Sequence, residues 1–196
     1  MNASSIARSE LILGGQKSGK SRHAELKALA WLQADVAHRA LLIATAEAWD
    51  AEMGERIARH RADRAARVAG LATLEEPRAL AEAVAGHSQP GCLLVVDCLT
   101  LWLTNLLMPA TQGAASPEDA VLAVDRLAAA VRAAPGPVVL VSNEIGLGVI
   151  PMGRDVRDFV DALGRLNQVL AQACQRVTLM AAGLPLTLKD EVHDED

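Results

Sequence analysis

The chain has 196 residues, of which 51% are hydrophobic, so it is about the size of one domain with a full apolar core. Its formal net charge of -5 disfavours a nucleic-acid partner, because proteins that bind the phosphate backbone need a concentrated basic surface. No apolar run reaches the roughly 18 residues of a membrane span, and no signal peptide is indicated. We therefore expect a single domain over residues 1–196, located in the cytoplasm without stable membrane insertion.

Short apolar runs alternate with alanine-rich segments of helical period, which is typical of parallel β-α-β units. The predicted strands are residues 10–13, 40–45, 92–97, 137–142 and 176–180. The predicted helices are residues 20–34, 50–69, 77–85, 117–133 and 154–175. A turn at 182–183 leads to one short edge strand, and the acidic tail from residue 190 is predicted to fray. The fold class is α/β, a mostly parallel central sheet flanked by helices.

The segment that follows the first predicted strand matches the phosphate-binding pattern G-x-x-x-x-G-K-S. Glycines in such a loop let backbone N–H groups turn toward phosphate oxygens, and the next helix adds its partial positive charge. Lys20 is expected to neutralise the β and γ phosphates, and the Ser21 hydroxyl to bind Mg²⁺. The predicted nucleotide-binding residues of the loop are Gly14, Gly15, Gln16, Lys17, Ser18, Gly19, Lys20 and Ser21. The sequence therefore predicts a site for ATP or GTP.

Two later strands end in polar side chains, at the edge where open α/β sheets build their sites. Asp97 ends the apolar run 92–97 and is expected to join Ser21 at the Mg²⁺ ion. The alternative is that Asp97 caps the segment that begins at Cys98. Asn143 and Glu144 follow the strand 137–142, where they would either position nucleotide or substrate or cap a turn.

His60 lies in the predicted helix 50–69, on the same face as Met53 and Ile57. Five arginine or histidine residues occupy the nine positions from 56 to 64. This charge would lower the cost of bringing a triphosphate to an imidazole nitrogen, so a covalent histidine–phosphate bond is conceivable. An arginine-rich, solvent-facing helix with a half-buried histidine is the commoner reading of the same residues.

Together these segments resemble the bifunctional adenosylcobinamide kinase and adenosylcobinamide-phosphate guanylyltransferase family of cobalamin biosynthesis, nearly from end to end. Besides the phosphate loop, the resemblance rests on residues 43–46, 50–53, 56–57, 60–61, 101–107, 142–151 and 164–168. The Asn-Glu-Ile-Gly and Arg-Leu-Asn-Gln stretches are specific to this family, whereas the phosphate loop is shared with many others.

The resemblance implies a P-loop fold related to RecA and a transferase with two activities. Such an enzyme phosphorylates adenosylcobinamide with ATP or GTP. It then transfers GMP from GTP to that phosphate through a guanylylated histidine, which gives adenosyl-GDP-cobinamide. By position, this histidine is His60, and Lys20 and Asp97 are the other implied catalytic residues. Mg²⁺ is the implied cofactor, held by Ser21 and Asp97.

The resemblance also implies further nucleotide contacts and a homotrimer. The contacts are Thr45, Ala46, Glu47, Arg61, Ala62, Asp63, Arg64, Glu75 and Asp97. Glu76 is the alternative to Glu75, because the segment after His60 is a few residues longer than in some relatives. Two other functions remain open. One is a monofunctional P-loop kinase of small molecules, in which His60 only packs or touches substrate, and the other is a P-loop regulatory ATPase or GTPase.

Overall fold

A computed structural model describes residues 6–48, 54–55, 58–59, 62, 64, 66–109, 113–149 and 151–191. Its strands are β1 (Ser9–Gly14), β2 (Arg39–Ala44), β3 (Leu71–Glu75), β4 (Cys92–Asp97), β5 (Val138–Val141), β6 (Arg176–Ala181) and β7 (Leu184–Asp190). Its helices are α1 (Lys20–Ala34), α2 (Leu80–His87), α3 (Leu99–Leu107), α4 (Pro117–Ala133) and α5 (Arg154–Ala173). The described residues between 54 and 67 are also helical. None of the helices within these ranges has the length and apolarity that crossing a bilayer requires.

The seven strands form one sheet in the order β3-β2-β4-β5-β1-β6-β7. All neighbours are parallel except β6 and β7, which form an antiparallel hairpin at one edge. The carboxyl ends of β4, β5 and β1 therefore lie side by side, and the loops that leave them meet at one edge of the sheet. The predicted α/β class is confirmed, and this edge is where such sheets place their ligands.

The core has two layers, one on each face of the sheet. Leu11 and Leu13 of β1 pack into the larger layer, which also holds the buried side chains of α2, α3, α4 and α5. Ile12 points to the other face and packs with Ala24 and Ala28 of α1. Because both faces are covered, the central strands are apolar at successive positions rather than at alternate ones.

Most predicted elements agree with the structure, and the bounds predicted for α1, α4 and β4 are met. The helix α4 begins at a capping box formed by Ser116 and Asp119. The sequence patterns do not predict β3 or α3. The strand β3 is at the sheet edge with largely exposed side chains, so it lacks an apolar run. The helix α3 is an almost continuous run of leucine and threonine, in which no helical period stands out.

The prediction of a frayed tail from Asp190 is wrong at its first residue. Asp190 is the last residue of β7, and its Oδ2 lies 3.0 Å from the guanidinium Nη2 of buried Arg176 on β6. The hairpin therefore extends further than the turn and proline pattern indicated, because a buried arginine requires a charged partner. Residues 192–196 of the tail lie outside the described residues.

Candidate active site

The loop between β1 and α1 has the curled backbone of a phosphate cradle. Gly14 has a φ of +152°, and a Cβ there would lie 2.5 Å from the Met180 carbonyl oxygen. Gly19 has a φ of +102° and is the N-cap of α1, and Lys17 also has a positive φ of 57°. The Ser18 hydroxyl oxygen is buried and has no hydrogen-bond partner in the described part of the chain. A bound phosphate would supply one, so the loop is built to hold an anion.

The turn of the β6–β7 hairpin supports this loop from the side. Ala182 and Gly183 have φ angles of +51° and +80°, as tight two-residue hairpin turns require. The Gly183 N–H donates to the Ser18 carbonyl at 3.0 Å, and a Cβ on Gly19 would lie 3.4 Å from the Gly183 Cα. The sequence predicts the turn at 182–183 but not its contact with Ser18, which lies far from it along the chain.

Lys20 and Asp97 lie near each other at the carboxyl edge of the sheet. The buried Lys20 side chain donates from Nζ to the Gly15 carbonyl at 2.7 Å. Burial lowers the pKa of Lys20, and the acidic groups of Cys98 and Asp97 only partly oppose this effect. Burial, followed by the negative charge of Asp97, also raises the pKa of the Cys98 thiol to about 11. Cys98 is therefore a neutral thiol near neutral pH. Ser21 is the second residue of α1, directly after Lys20.

Thr45 ties the end of β2 to the end of β4. It is completely buried, and its hydroxyl accepts from the Cys98 N–H at 2.9 Å and donates to the Cys98 carbonyl at 2.7 Å. Its N–H donates to the Asp97 carbonyl at 3.3 Å, and its own carbonyl accepts from the buried Asn105 side chain at 2.7 Å. The polar groups of Thr45 thus form hydrogen bonds within the protein, and they fix the backbone of Asp97 and Cys98. Asn105 is a positioning residue that the sequence reasoning did not identify.

A second buried network fixes the end of β5. The Ser142 hydroxyl donates to Oδ1 of Asn167 at 2.7 Å, and Nδ2 of Asn167 donates to the Asn143 carbonyl at 3.0 Å. The same Nδ2 lies 3.4 Å from Oε2 of Glu144, while Oε1 of Glu144 accepts from the Gly146 N–H at 3.1 Å. The Glu144 N–H donates to the Gly14 carbonyl at 3.1 Å. The backbone of Glu144 is therefore bound to the start of the phosphate loop, and its carboxylate is oriented by Gly146 and Asn167.

The other predicted nucleotide contacts around β2 and β3 lie at the rim of this edge. Ala46 and Glu47 are half-buried just after β2, and Glu75 is the exposed last residue of β3. Glu76 has a structural use, since its Oε1 accepts from two backbone N–H groups at the start of α2, of Arg78 at 3.0 Å and Ala79 at 2.7 Å.

Arg67 is attached to the helix that follows the phosphate loop. Nη1 of Arg67 lies 2.8 Å from Oε2 of Glu25, which is buried on α1. Of the predicted contacts, Ala62 is exposed and Arg64 is half-buried. Three of the predicted residues lie outside the described residues: His60, Arg61 and Asp63.

Two adjoining cavities extend from the carboxyl edge along α5. The first has a volume of about 650 Å³ and is lined by Ile145, Gly146 and Arg165 among others. The second has a volume of about 940 Å³ and lies between α4 and α5, and it shares Asp158, Asp161 and Arg165 with the first. Together the two cavities leave room for a large molecule along α5.

Comparisons with known sequences match the chain over most of its length. The profile of a family described as cobinamide kinase / cobinamide phosphate guanyltransferase matches residues 10–188. The bifunctional adenosylcobalamin biosynthesis protein CobP of Pseudomonas aeruginosa is 47% identical over 182 residues, which cover 93% of this chain and 98% of that protein. CobU of Escherichia coli K12, which has the same description, is 36% identical over 91% of this chain and 98% of its own.

Solved structures with a similar fold have little sequence in common with the chain. A Pyrococcus horikoshii OT3 protein has a TM-score of 0.54 and 10% identity, with 96% of this chain and 89% of that chain covered. The flagellar accessory protein FlaH of Methanocaldococcus jannaschii has a TM-score of 0.51 and 10% identity, with 94% and 80% covered. These neighbours share the overall fold of the chain.

Proposed function

The chain belongs to the cobinamide kinase / cobinamide phosphate guanyltransferase family, and from this premise we propose both of its reactions. The chain phosphorylates adenosylcobinamide with ATP or GTP. It then transfers GMP from GTP to the new phosphate, which gives adenosyl-GDP-cobinamide for cobalamin biosynthesis. The observation that carries this proposal is the 47% identity to a bifunctional relative over 93% of the chain, together with an intact phosphate cradle.

The phosphate loop would hold the triphosphate in both reactions. Transfer at phosphorus needs an aligned donor and neutralised charge more than covalent machinery from the protein. The backbone N–H groups of 14–19 would bind the β and γ oxygens, and Lys20 would exchange the Gly15 carbonyl for a phosphate. Since that carbonyl is a neutral acceptor, a phosphate oxygen is the stronger partner for an ammonium group.

The donors present at this edge suit Mg²⁺. Within the described residues no three His, Cys, Asp or Glu side chains gather into a metal cage. Mg²⁺ commonly binds one or two protein oxygens, with substrate phosphates and water completing its octahedron. The Ser21 hydroxyl and the Asp97 carboxylate would supply those oxygens. When bound, the ion would neutralise charge on the triphosphate.

We assign the covalent half-step to His60. An imidazole nitrogen attacks the α-phosphorus of GTP and expels pyrophosphate, and the substrate phosphate then attacks the phosphoramidate and frees the histidine. Arg61, Ala62, Asp63 and Arg64 would contact the same GTP.

Glu75 is the nucleotide contact that we propose, and Glu76 binds the backbone N–H groups of Arg78 and Ala79 just before α2. Ala46 and Glu47 would complete the nucleotide site beside it. Thr45 would act through its hold on Asp97 rather than through its own hydroxyl. We also propose a homotrimer, which the family resemblance implies, and a cytoplasmic location, and light scattering of the purified protein tests the first.

The covalent intermediate gives the most direct test. Protein incubated with GTP labelled at the α-phosphate should acquire an acid-labile, base-stable label at His60. The variant His60→Ala should lose the label and the transfer of GMP but keep most of its kinase activity. The matched control His87→Ala changes an exposed histidine at the end of α2 and should keep both. A monofunctional kinase would take no label, and a regulatory NTPase would leave adenosylcobinamide unchanged.

A further inference from the structure

We propose that Glu144 is the general base of the kinase reaction, the group that accepts the proton of the substrate hydroxyl. This inference rests on the proposed function and adds a residue to it. Three observations carry it: the place of Glu144 in the sheet, the contacts of its carboxylate, and the cavity that the next two residues line. A fourth argument is chemical, since the two reactions differ in their need for a base.

The sheet places Glu144 between the two ends of the nucleotide site. The strand β5 lies between β4, which ends at Asp97, and β1, which leads into the phosphate loop. Val141 is in register with Asp97 on one side and with Ile12 on the other. Glu144 follows three residues later and bonds through its N–H to the Gly14 carbonyl. The backbone of Glu144 therefore lies next to the first residue of the phosphate loop.

The carboxylate is oriented but not saturated. The Gly146 N–H reaches Oε1, and Nδ2 of Asn167 reaches Oε2. Asn167 is itself buried and held through Oδ1 by Ser142, so it cannot easily turn away. An ionised carboxylate has about four acceptor positions, of which these two donors use two. Each oxygen keeps capacity for one more donor, and a substrate hydroxyl at the rim is such a donor.

A cavity that could take the substrate begins at the residues next to Glu144. Ile145 and Gly146, the residues after Glu144, line the cavity of about 650 Å³. In-line transfer requires the substrate oxygen to meet the γ-phosphorus directly. The substrate hydroxyl would therefore lie against the γ-phosphate, with the Glu144 carboxylate beside it as the proton acceptor.

The two reactions differ in their need for a base. In the kinase reaction the hydroxyl O–H bond breaks and its proton passes to Glu144. The oxygen forms a bond to the γ-phosphorus, and the bond from that phosphorus to the nucleoside diphosphate breaks. The diphosphate leaves, and the proton later passes to water. In the transfer of GMP the attacking groups are an imidazole nitrogen and a phosphate oxygen, neither of which must lose a hydroxyl proton.

The variant Glu144→Gln keeps the size of the side chain and removes its basicity. We expect its kcat for phosphorylation of adenosylcobinamide to fall about 10²-fold or more. The labelling by GTP, and the transfer of GMP to adenosylcobinamide phosphate supplied ready-made, should stay at the wild-type rate in the same preparation. The unchanged rate of GMP transfer would also show that the Glu144→Gln variant is folded. Glu82→Gln, an exposed carboxylate on α2, is the matched control and should keep both rates.

Three outcomes would overturn this role. Kinase activity near the wild-type rate would show that no proton passes to Glu144. Equal loss of both reactions would show that the carboxylate supports the phosphate loop. Recovery of the lost activity of Glu144→Gln by excess Mg²⁺ would show that the carboxylate of Glu144 is a metal ligand. Wild-type protein that performs neither reaction would instead refute the proposed function itself.

Discussion

The substitution Thr45→Val tests whether the strand ends are held together as described. It replaces the hydroxyl with a methyl group of nearly the same size at a position that is completely buried. Two hydrogen bonds to Cys98 are lost, the one its N–H donates at 2.9 Å and the one its carbonyl accepts at 2.7 Å. The Cys98 carbonyl still accepts from the Trp102 N–H at 3.1 Å. Losing the Thr45 hydroxyl therefore costs less at the carbonyl than at the Cys98 N–H.

The magnitude follows from those two losses. A buried N–H left without its partner costs roughly 1–3 kcal/mol, and a carbonyl that loses one of two donors costs about 0.5–1 kcal/mol. We therefore expect the free energy of unfolding to fall by about 3 kcal/mol, which lowers the melting temperature of a chain of this size by about 6 to 12 °C. Thr45→Ser keeps the hydroxyl and loses one methyl group, so it should cost only about 1 kcal/mol.

Urea denaturation followed by circular dichroism measures both variants. The protein concentration must be equal in all samples, because the stability of an oligomer depends on it. If Thr45→Val unfolds at the same urea concentration as the wild-type protein, the hydroxyl contributes no net stability, and the reasoning about these hydrogen bonds is refuted.

Three further predictions concern the loop and the titrating groups. Gly14→Ala should lower the free energy of unfolding by about 2 kcal/mol, since its Cβ meets the Met180 carbonyl at 2.5 Å, whereas Gly15→Ala meets nothing within 4 Å; equal urea midpoints for the two would contradict this. Burial, followed by the charge of Lys27, lowers the pKa of His23, so its stabilising contribution is present above pH 6.5 and is lost as the pH falls through the lowered pKa. His23→Gln should therefore flatten the fall in stability below pH 6.5 in melting experiments, and an unchanged slope would count against it. Burial raises the pKa of the Cys174 thiol to about 12, so iodoacetamide at pH 8 should modify it only after unfolding, as peptide mass spectrometry would detect; rapid labelling of the folded protein would show the thiol to be accessible.

Local patterns in the sequence were enough for most of the fold. The apolar run before Gly14 and the helical period after Lys20 predict a strand, a phosphate loop and a helix, because each depends on neighbouring residues. The same holds for α4, whose start is encoded by Ser116 and Asp119 within one helical turn. The edge strand β3 was missed, since its pairing with β2 determines it and its own side chains are largely exposed.

The arrangement around the loop was decided by contacts between distant residues. Thr45 and Cys98 are 53 positions apart, and Ser142 and Asn167 are 25 apart, so no window of sequence contains either pair. Buried polar groups must be hydrogen-bonded, and their partners are known only once β4, β5 and β1 are seen to lie side by side in the sheet. The sequence by itself determined that a phosphate loop exists and which family carries it. The tertiary structure decided how the chain is fixed at Asp97 and Glu144, because Thr45 binds the backbone of Asp97 and Cys98, and Gly14 and Asn167 bind Glu144, across distances that the chain order leaves large.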